Sequence, residues 1–156
     1  DSGAREVESD PNYTELIEWS RRAERKSVAD GIVSAAREIA ETTDVKAICS
    51  FSQSGATAAL VSRERPRVPI IALTPHMSTA RRMSLYWGTN WVISGEVHRF
   101  KEAVLAAVRA TLAQEMATED DMIVVTAGVP FNTPGSTNIL RVAPCAERLI
   151  YASETE

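Results

Sequence analysis

Between residues 22 and 41, Ala29, Ile32, Val33, Ala36, Ile39 and Ala40 recur at helical spacing, with charged residues on the opposite face. That period predicts a helix, which Thr42-Thr43-Asp44 stops. The pattern then changes to short apolar runs alternating with longer amphipathic ones. Runs at 45–51, 69–74, 90–94 and 121–127 predict strands. The segments between them predict helices. One covers 55–65 and ends before Pro66; a second covers 78–87 and is closed by Gly88. The third, 97–115, carries Val97, Phe100, Val104, Val108 and Leu112 along one face. A loop over 128–137 and a final strand at 138–142 follow. Residues 1–20 are polar and acidic, with a turn at Asp10-Pro-Asn-Tyr-Thr and a short amphipathic piece through Trp19. They read as a leader or linker with a short docking helix. One α/β domain then covers 21–150, and 151–156 is a tail.

Strand–helix alternation with short connections predicts a mostly parallel sheet with helices on both faces, a three-layer α/β/α sandwich. The loop between the fourth and fifth strands is too short for a helical crossover. The last strand is therefore expected to be antiparallel and at an edge. Right-handed crossovers with one reversal of winding give the strand order 3-2-1-4-5. Strands one and four then lie side by side at the switch point, where open α/β sheets bind ligands outside the carboxyl ends of their strands.

Composition narrows the partners. The net charge of −4 at 156 residues is mild, and no basic stripe interleaves with aromatics, which argues against nucleic acid. No apolar run approaches the roughly 20 residues that span a bilayer, so no membrane is expected. Cys49 and Cys145 lack Cys-x-x-Cys spacing and read as buried free thiols of a reducing, cytoplasmic compartment. The two histidines, His76 and His98, are too far apart for a metal motif. The chain opens at Asp1 without an initiator methionine and reads as part of something longer.

The stretch 52–57, Ser-Gln-Ser-Gly-Ala-Thr, joins the first strand to its helix. Ser52, Ser54 and Thr57 supply hydroxyls, Gly55 a tight turn, and the helix start supplies free N–H groups with the positive end of its dipole. Together these suit a phosphate. Ser54 is equally a good N-cap, which needs no ligand. The second loop, 128–137, is rich in Gly, Pro and hydroxyls and faces the same crevice, as a lid over a phosphorylated small molecule or as a plain connection stiffened by Pro130 and Pro134. Neither loop holds a His or Cys, which weighs against a free-standing sugar-phosphate or flavodoxin-like enzyme. Arg63, Arg65 and Arg67 are cations expected at a helix end. Tyr86 and Trp87 read as core, and His98 as surface.

Several stretches, in order, resemble the C-terminal domain of pyruvate kinase. They are Ser52-Gln-Ser-Gly-Ala-Thr57, Ser62-Arg-Glu-Arg-Pro66, Pro69-Ile-Ile-Ala-Leu-Thr74, Arg81 and Arg82 ahead of Leu85-Tyr-Trp-Gly88, and Val124-Val-Thr-Ala-Gly-Val-Pro130 with Pro134-Gly-Ser-Thr-Asn138. The resemblance runs from about residue 25 to 142. It implies the regulatory, oligomerising end of an enzyme that transfers phosphate from phosphoenolpyruvate to ADP, active as a homotetramer. Catalysis, with its magnesium and potassium, would belong to a barrel domain outside this sequence, so no residue here is expected to be catalytic and no cofactor is expected in this domain. In relatives activated by sugar phosphates, the turn and the later loop hold the effector. Those contacts fall here on Ser52, Gln53, Ser54, Gly55, Thr57, Gly135, Ser136 and Thr137. Near Arg81 and Arg82 the family makes domain or subunit contacts, so either an interface ion pair or a solvated arginine is expected. The chain departs from relatives that hold fructose 1,6-bisphosphate. It is shorter after the third strand, offering only Trp91 and Arg99, and has no basic residue between Gly128 and Thr137. A monophosphate such as a pentose phosphate, a hexose phosphate or AMP fits that charge at least as well, and a lost effector site fits it too.

Overall fold

The computed structural model describes residues 27–131 and 137–152, with Asn12. The leader expected over 1–20, apart from Asn12, lies outside the described residues, as do Gly135 and Ser136. The elements in order are α1 (Val28–Thr42), β1 (Ile48–Phe51), α2 (Ala56–Glu64), β2 (Ile70–Thr74), α3 (Met77–Met83), β3 (Thr89–Ile93), α4 (Phe100–Ala113), β4 (Met122–Gly128), β5 (Thr137–Pro144) and α5 (Glu147–Ala152). The sheet order is β3-β2-β1-β4-β5, as expected. β1 pairs in parallel with β2 and β4, β2 with β3, and only β4–β5 is antiparallel.

Two apolar layers sandwich the sheet. On one face Val33, Ala36 and Ala40 of α1 and Val61 of α2 meet Ile48, Ile70 and Val124. On the other, Val104 and Val108 of α4 and Ile150 of α5 meet Cys49, Phe51, Ile71 and Val125. The alternation along β1 and β4 assigns successive residues to the two layers, as a pleated strand requires. The three parallel strands β1, β2 and β4 carry near-continuous buried runs, because helices cover both faces.

Element boundaries shift by up to a few residues, and two of the shifts have a clear local reason. The first helix begins at Val28, not at 22. Ser27 is its N-cap in an extended conformation and forms a capping box with Asp30. The third helix ends at Met83, not 87, where the Ser84 hydroxyl donates to the Arg81 carbonyl at 2.6 Å and the chain tightens into shorter-range turns. Trp87 is consequently 48% exposed rather than core, and Tyr86 is only partly buried. Beyond β5, where no further element was expected, α5 docks on α4 and runs two residues into the expected tail. Arg109 donates to Glu147 at 2.6 Å and Lys101 lies 4.5 Å from the Tyr151 ring.

Candidate functional site

The switch-point crevice opens where β1 and β4 end. At its floor the Ser50 and Thr126 hydroxyls, cross-strand neighbours, lie 3.0 Å apart and buried. The chain then leaves β1 through Ser52, whose N–H still donates to the Leu73 carbonyl and whose buried hydroxyl accepts from the Gly55 N–H at 2.8 Å. Gly55 has φ 87, a left-handed conformation that L side chains resist, and its bare α-carbon lies under Met83 and Thr79. Ser54 is not the N-cap. Gly55 holds that position, with no side-chain cap, and the Ser54 hydroxyl accepts from the Ala56 N–H at 3.3 Å.

Two consecutive carbonyls of the turn face α3. The Thr79 hydroxyl donates to the Gln53 carbonyl at 2.8 Å, and Arg82 Nη2 donates to the Ser54 carbonyl at 3.3 Å. A planar trans peptide sends its N–H opposite to its C=O, so these contacts direct the Ser54 and Gly55 amides away from α3. The Gly55 amide goes to Ser52. Among the described residues the Ser54 amide makes no hydrogen bond, nor do the first-turn amides of Thr57 and Ala58. This is the donor-rich helix start that favours an anion.

The second loop meets the turn at its neck. Thr57 and Thr137, both buried, are hydrogen-bonded through their hydroxyls. Phe131 packs edge-on to Phe51 with ring centroids 5.3 Å apart. Asn138 bulges from β5: Gly128 pairs with Thr137 and Ala127 with Ile139, leaving Asn138 out of the ladder. Its amide instead clasps Val129, accepting from the N–H at 3.0 Å and donating to the carbonyl at 2.7 Å. Val129–Pro130 is a cis peptide. Of the expected site residues, the turn's Thr57 is thus brought to Thr137 of the loop, while Gly135 and Ser136 lie outside the described residues.

Sequence reading gave Asn138 no role and left Arg82 as an interface or solvated group. Both act on main-chain groups, Arg82 on one 28 residues away and Asn138 across the nine residues of its own loop, which residue type alone does not reveal. The signal that could have suggested the clasp is an Asn where a Gly-containing loop enters a strand. Arg65, left-handed at φ 45, lies 5.3 Å from the Trp87 ring, and Arg67 donates to the Ala40 and Thr43 carbonyls. Arg99 is the N-cap residue of α4 rather than a residue within it, and Trp91 stands 40% exposed on the edge strand β3. Neither belongs to the crevice walls just described.

The turn 52–57, the loop ends 128–131 and Thr137-Asn138 contain no carboxylate, and Arg82 contributes a cation beside them. A cleft of about 580 Å³ at the opposite end of the sheet has the reverse character, lined by Asp44, Asp120 and Asp121 with Lys46. Among the described residues no cluster of three His, Cys, Asp or Glu side chains suits a metal ion, and no helix is long and apolar enough to cross a membrane. Cys49 and Cys145 are free and buried, Cys145 just beyond the end of β5; His98 is exposed.

The family model for the pyruvate kinase alpha/beta domain matches residues 30–143. A pyruvate kinase of Agrobacterium vitis is 35% identical over 140 residues, covering 90% of this chain and 29% of that protein. One of Methylorubrum extorquens is 31% identical over the same length and coverage. Among solved structures, Cryptosporidium parvum pyruvate kinase in complex with ADP superposes with a TM-score of 0.71 at 25% identity, over 78% of this chain and 24% of that one. The chain thus spans 29% of the length of these curated relatives. With sheet order, matched span and relatives in agreement, the chain belongs to the pyruvate kinase alpha/beta domain family.

Proposed function

We propose that this domain is the regulatory and oligomerising end of a pyruvate kinase, and that it binds a phosphorylated metabolite between the 52–57 turn and the 128–137 loop. The observation that carries the site is the set of amides at Ser54, Thr57 and Ala58 that make no hydrogen bond among the described residues, on a turn that contains no carboxylate and has Arg82 beside it. A phosphate there gains charge-assisted hydrogen bonds from N–H and O–H donors. On this reading the ligand would be held by Ser52, Gln53, Ser54, Gly55 and Thr57 from the turn and by Thr137 from the loop, with Gly135 and Ser136 as further candidates that lie outside the described residues. With one cation at the turn, a monophosphate such as a pentose phosphate, a hexose phosphate or AMP is the better match than a bisphosphate.

The full protein would transfer phosphate from phosphoenolpyruvate to ADP in the cytoplasm, in a barrel domain of the same polypeptide that holds magnesium and potassium. This domain takes no part in that chemistry. An effector that fits the crevice best in the active arrangement shifts a homotetramer towards it, by no more than its differential affinity for the two states. The edge strand β5 is the natural subunit contact, since its outer hydrogen-bonding groups are unpaired within this sheet.

A purely structural role is the second reading, and a specific observation favours it. The Ser52 and Thr57 hydroxyls already have partners in Gly55 and Thr137, so they can serve the fold alone. A thermal-shift panel of fructose 1,6-bisphosphate, glucose 6-phosphate, ribose 5-phosphate, AMP and inorganic phosphate separates the two. A ligand at 100 times its dissociation constant adds about 2.7 kcal/mol, a rise of about 5–10 °C at this size. Effector binding predicts such a rise for one ester, lost in Thr57→Ala. A flat panel, with Thr57→Ala lowering the melting point alone, supports the structural role.

A further inference from the structure

Arg82 is exposed on α3, a helix outside the turn, yet its guanidinium holds one acceptor in the turn and one on its own helix. Nη2 donates to the Ser54 carbonyl and to the Thr79 hydroxyl, each at 3.3 Å. Thr79 is 3% exposed and donates to the Gln53 carbonyl at 2.8 Å. A guanidinium has no acceptor, so the Thr79 oxygen must accept from it, leaving its single proton for Gln53. One arginine thereby orders both carbonyls, Ser54 directly and Gln53 through a hydroxyl whose direction it dictates. Successive bonds in such a chain polarise one another.

We propose that Arg82 is the positioning residue of the turn: it fixes the Gln53 and Ser54 carbonyls towards α3, so that the Ser54 amide faces the crevice, and supplies the positive charge for an anionic group there. The ligand part of this assignment rests on the effector reading; the positioning part does not. Arg82 does not replace the turn's donors. It sets their direction, which a lysine, lacking the planar fork, does only in part.

The test uses the full chain in four forms: wild type, Arg82→Ala, Arg82→Lys and the neighbouring exposed control Arg81→Ala. Amide resonances of Gln53, Ser54 and Gly55 are followed first. They should move in Arg82→Ala and remain in place in Arg81→Ala, with all forms melting within about 2 °C of one another, as exposed substitutions do. Thr79→Val should move the same amides, because it removes the same relay. Calorimetric titration with ribose 5-phosphate and AMP comes second. Arg82→Ala should weaken binding about tenfold, because the Ser54 amide is no longer held towards the crevice and a nearby positive charge is lost, and flatten its salt dependence. Arg82→Lys should restore the salt dependence while leaving the Ser54 amide displaced. Unmoved turn amides in Arg82→Ala overturn the positioning role whatever the ligand does. If the wild type binds none of the probes, the effector reading falls, and the amide comparison still decides the role of Arg82.

Discussion

At the scale of single residues, the buried thiols give the sharpest expectation. Burial pushes Cys49 up from 9.0 to about 12, against a smaller opposing effect of its contact with Thr111, and pushes Cys145 up to about 11. The folded protein therefore keeps its thiol protons where the unfolded chain releases them. This contribution is fully present below pH 9 and is lost as pH rises from there towards the folded values. Unfolding free energy measured from pH 8 to 11 should fall, and Cys49→Ala should flatten the fall by up to about 1.4 kcal/mol per pH unit, one proton's worth. A slope identical in both proteins would contradict this. Composition and apolar flanks were enough to expect buried thiols. The partner of Cys49, Thr111, is 62 residues away and was not legible. Ser54 failed as a cap for a related reason: Ser52, two residues earlier, takes the Gly55 amide and moves the helix start.

At the scale of elements, α4 ends in a Schellman arrangement. The Glu115 N–H donates to the Leu112 carbonyl and the Met116 N–H to that of Thr111, with Glu115 left-handed at φ 58. An L side chain there costs about 1 kcal/mol relative to glycine. Glu115→Gly should raise the melting temperature by about 2–4 °C; a fall would show that the glutamate side chain makes a compensating contact. Periodicity found every strand and the first four helices, because sheet and helix faces repeat over several residues. It missed α5, whose six residues bury mainly Ile150 and whose place is fixed by Arg109 and Lys101 from another helix. It also ran α3 on to Trp87, since Leu85-Tyr-Trp is apolar; yet Leu85 is 86% exposed. Apolar composition does not distinguish a buried face from an exposed one at a helix end.

At the scale of the whole molecule, the strand order followed from connection lengths and handedness, and with it the position of the crevice. What lay beyond the sequence was the set of long-range links that shape it: Arg82 and Thr79 on the turn, Asn138 on Val129, and Thr57 against Thr137. The two ends of the sheet differ in sign, with a helix start and a guanidinium at the carboxyl end and Asp44, Asp120 and Asp121 at the other. On the proposed reading, a phosphate ester would be drawn to the first end and repelled from the second. The direct measurement is a backbone amide chemical-shift map of the chain titrated with ribose 5-phosphate, beside an equal titration with uncharged ribose. Saturable shifts confined to residues 52–58 and 128–138, seen with the phosphate ester alone, are the predicted result. Shifts centred on Asp44, Asp120 and Asp121, or the same shifts with both sugars, would contradict a phosphate site at the switch point.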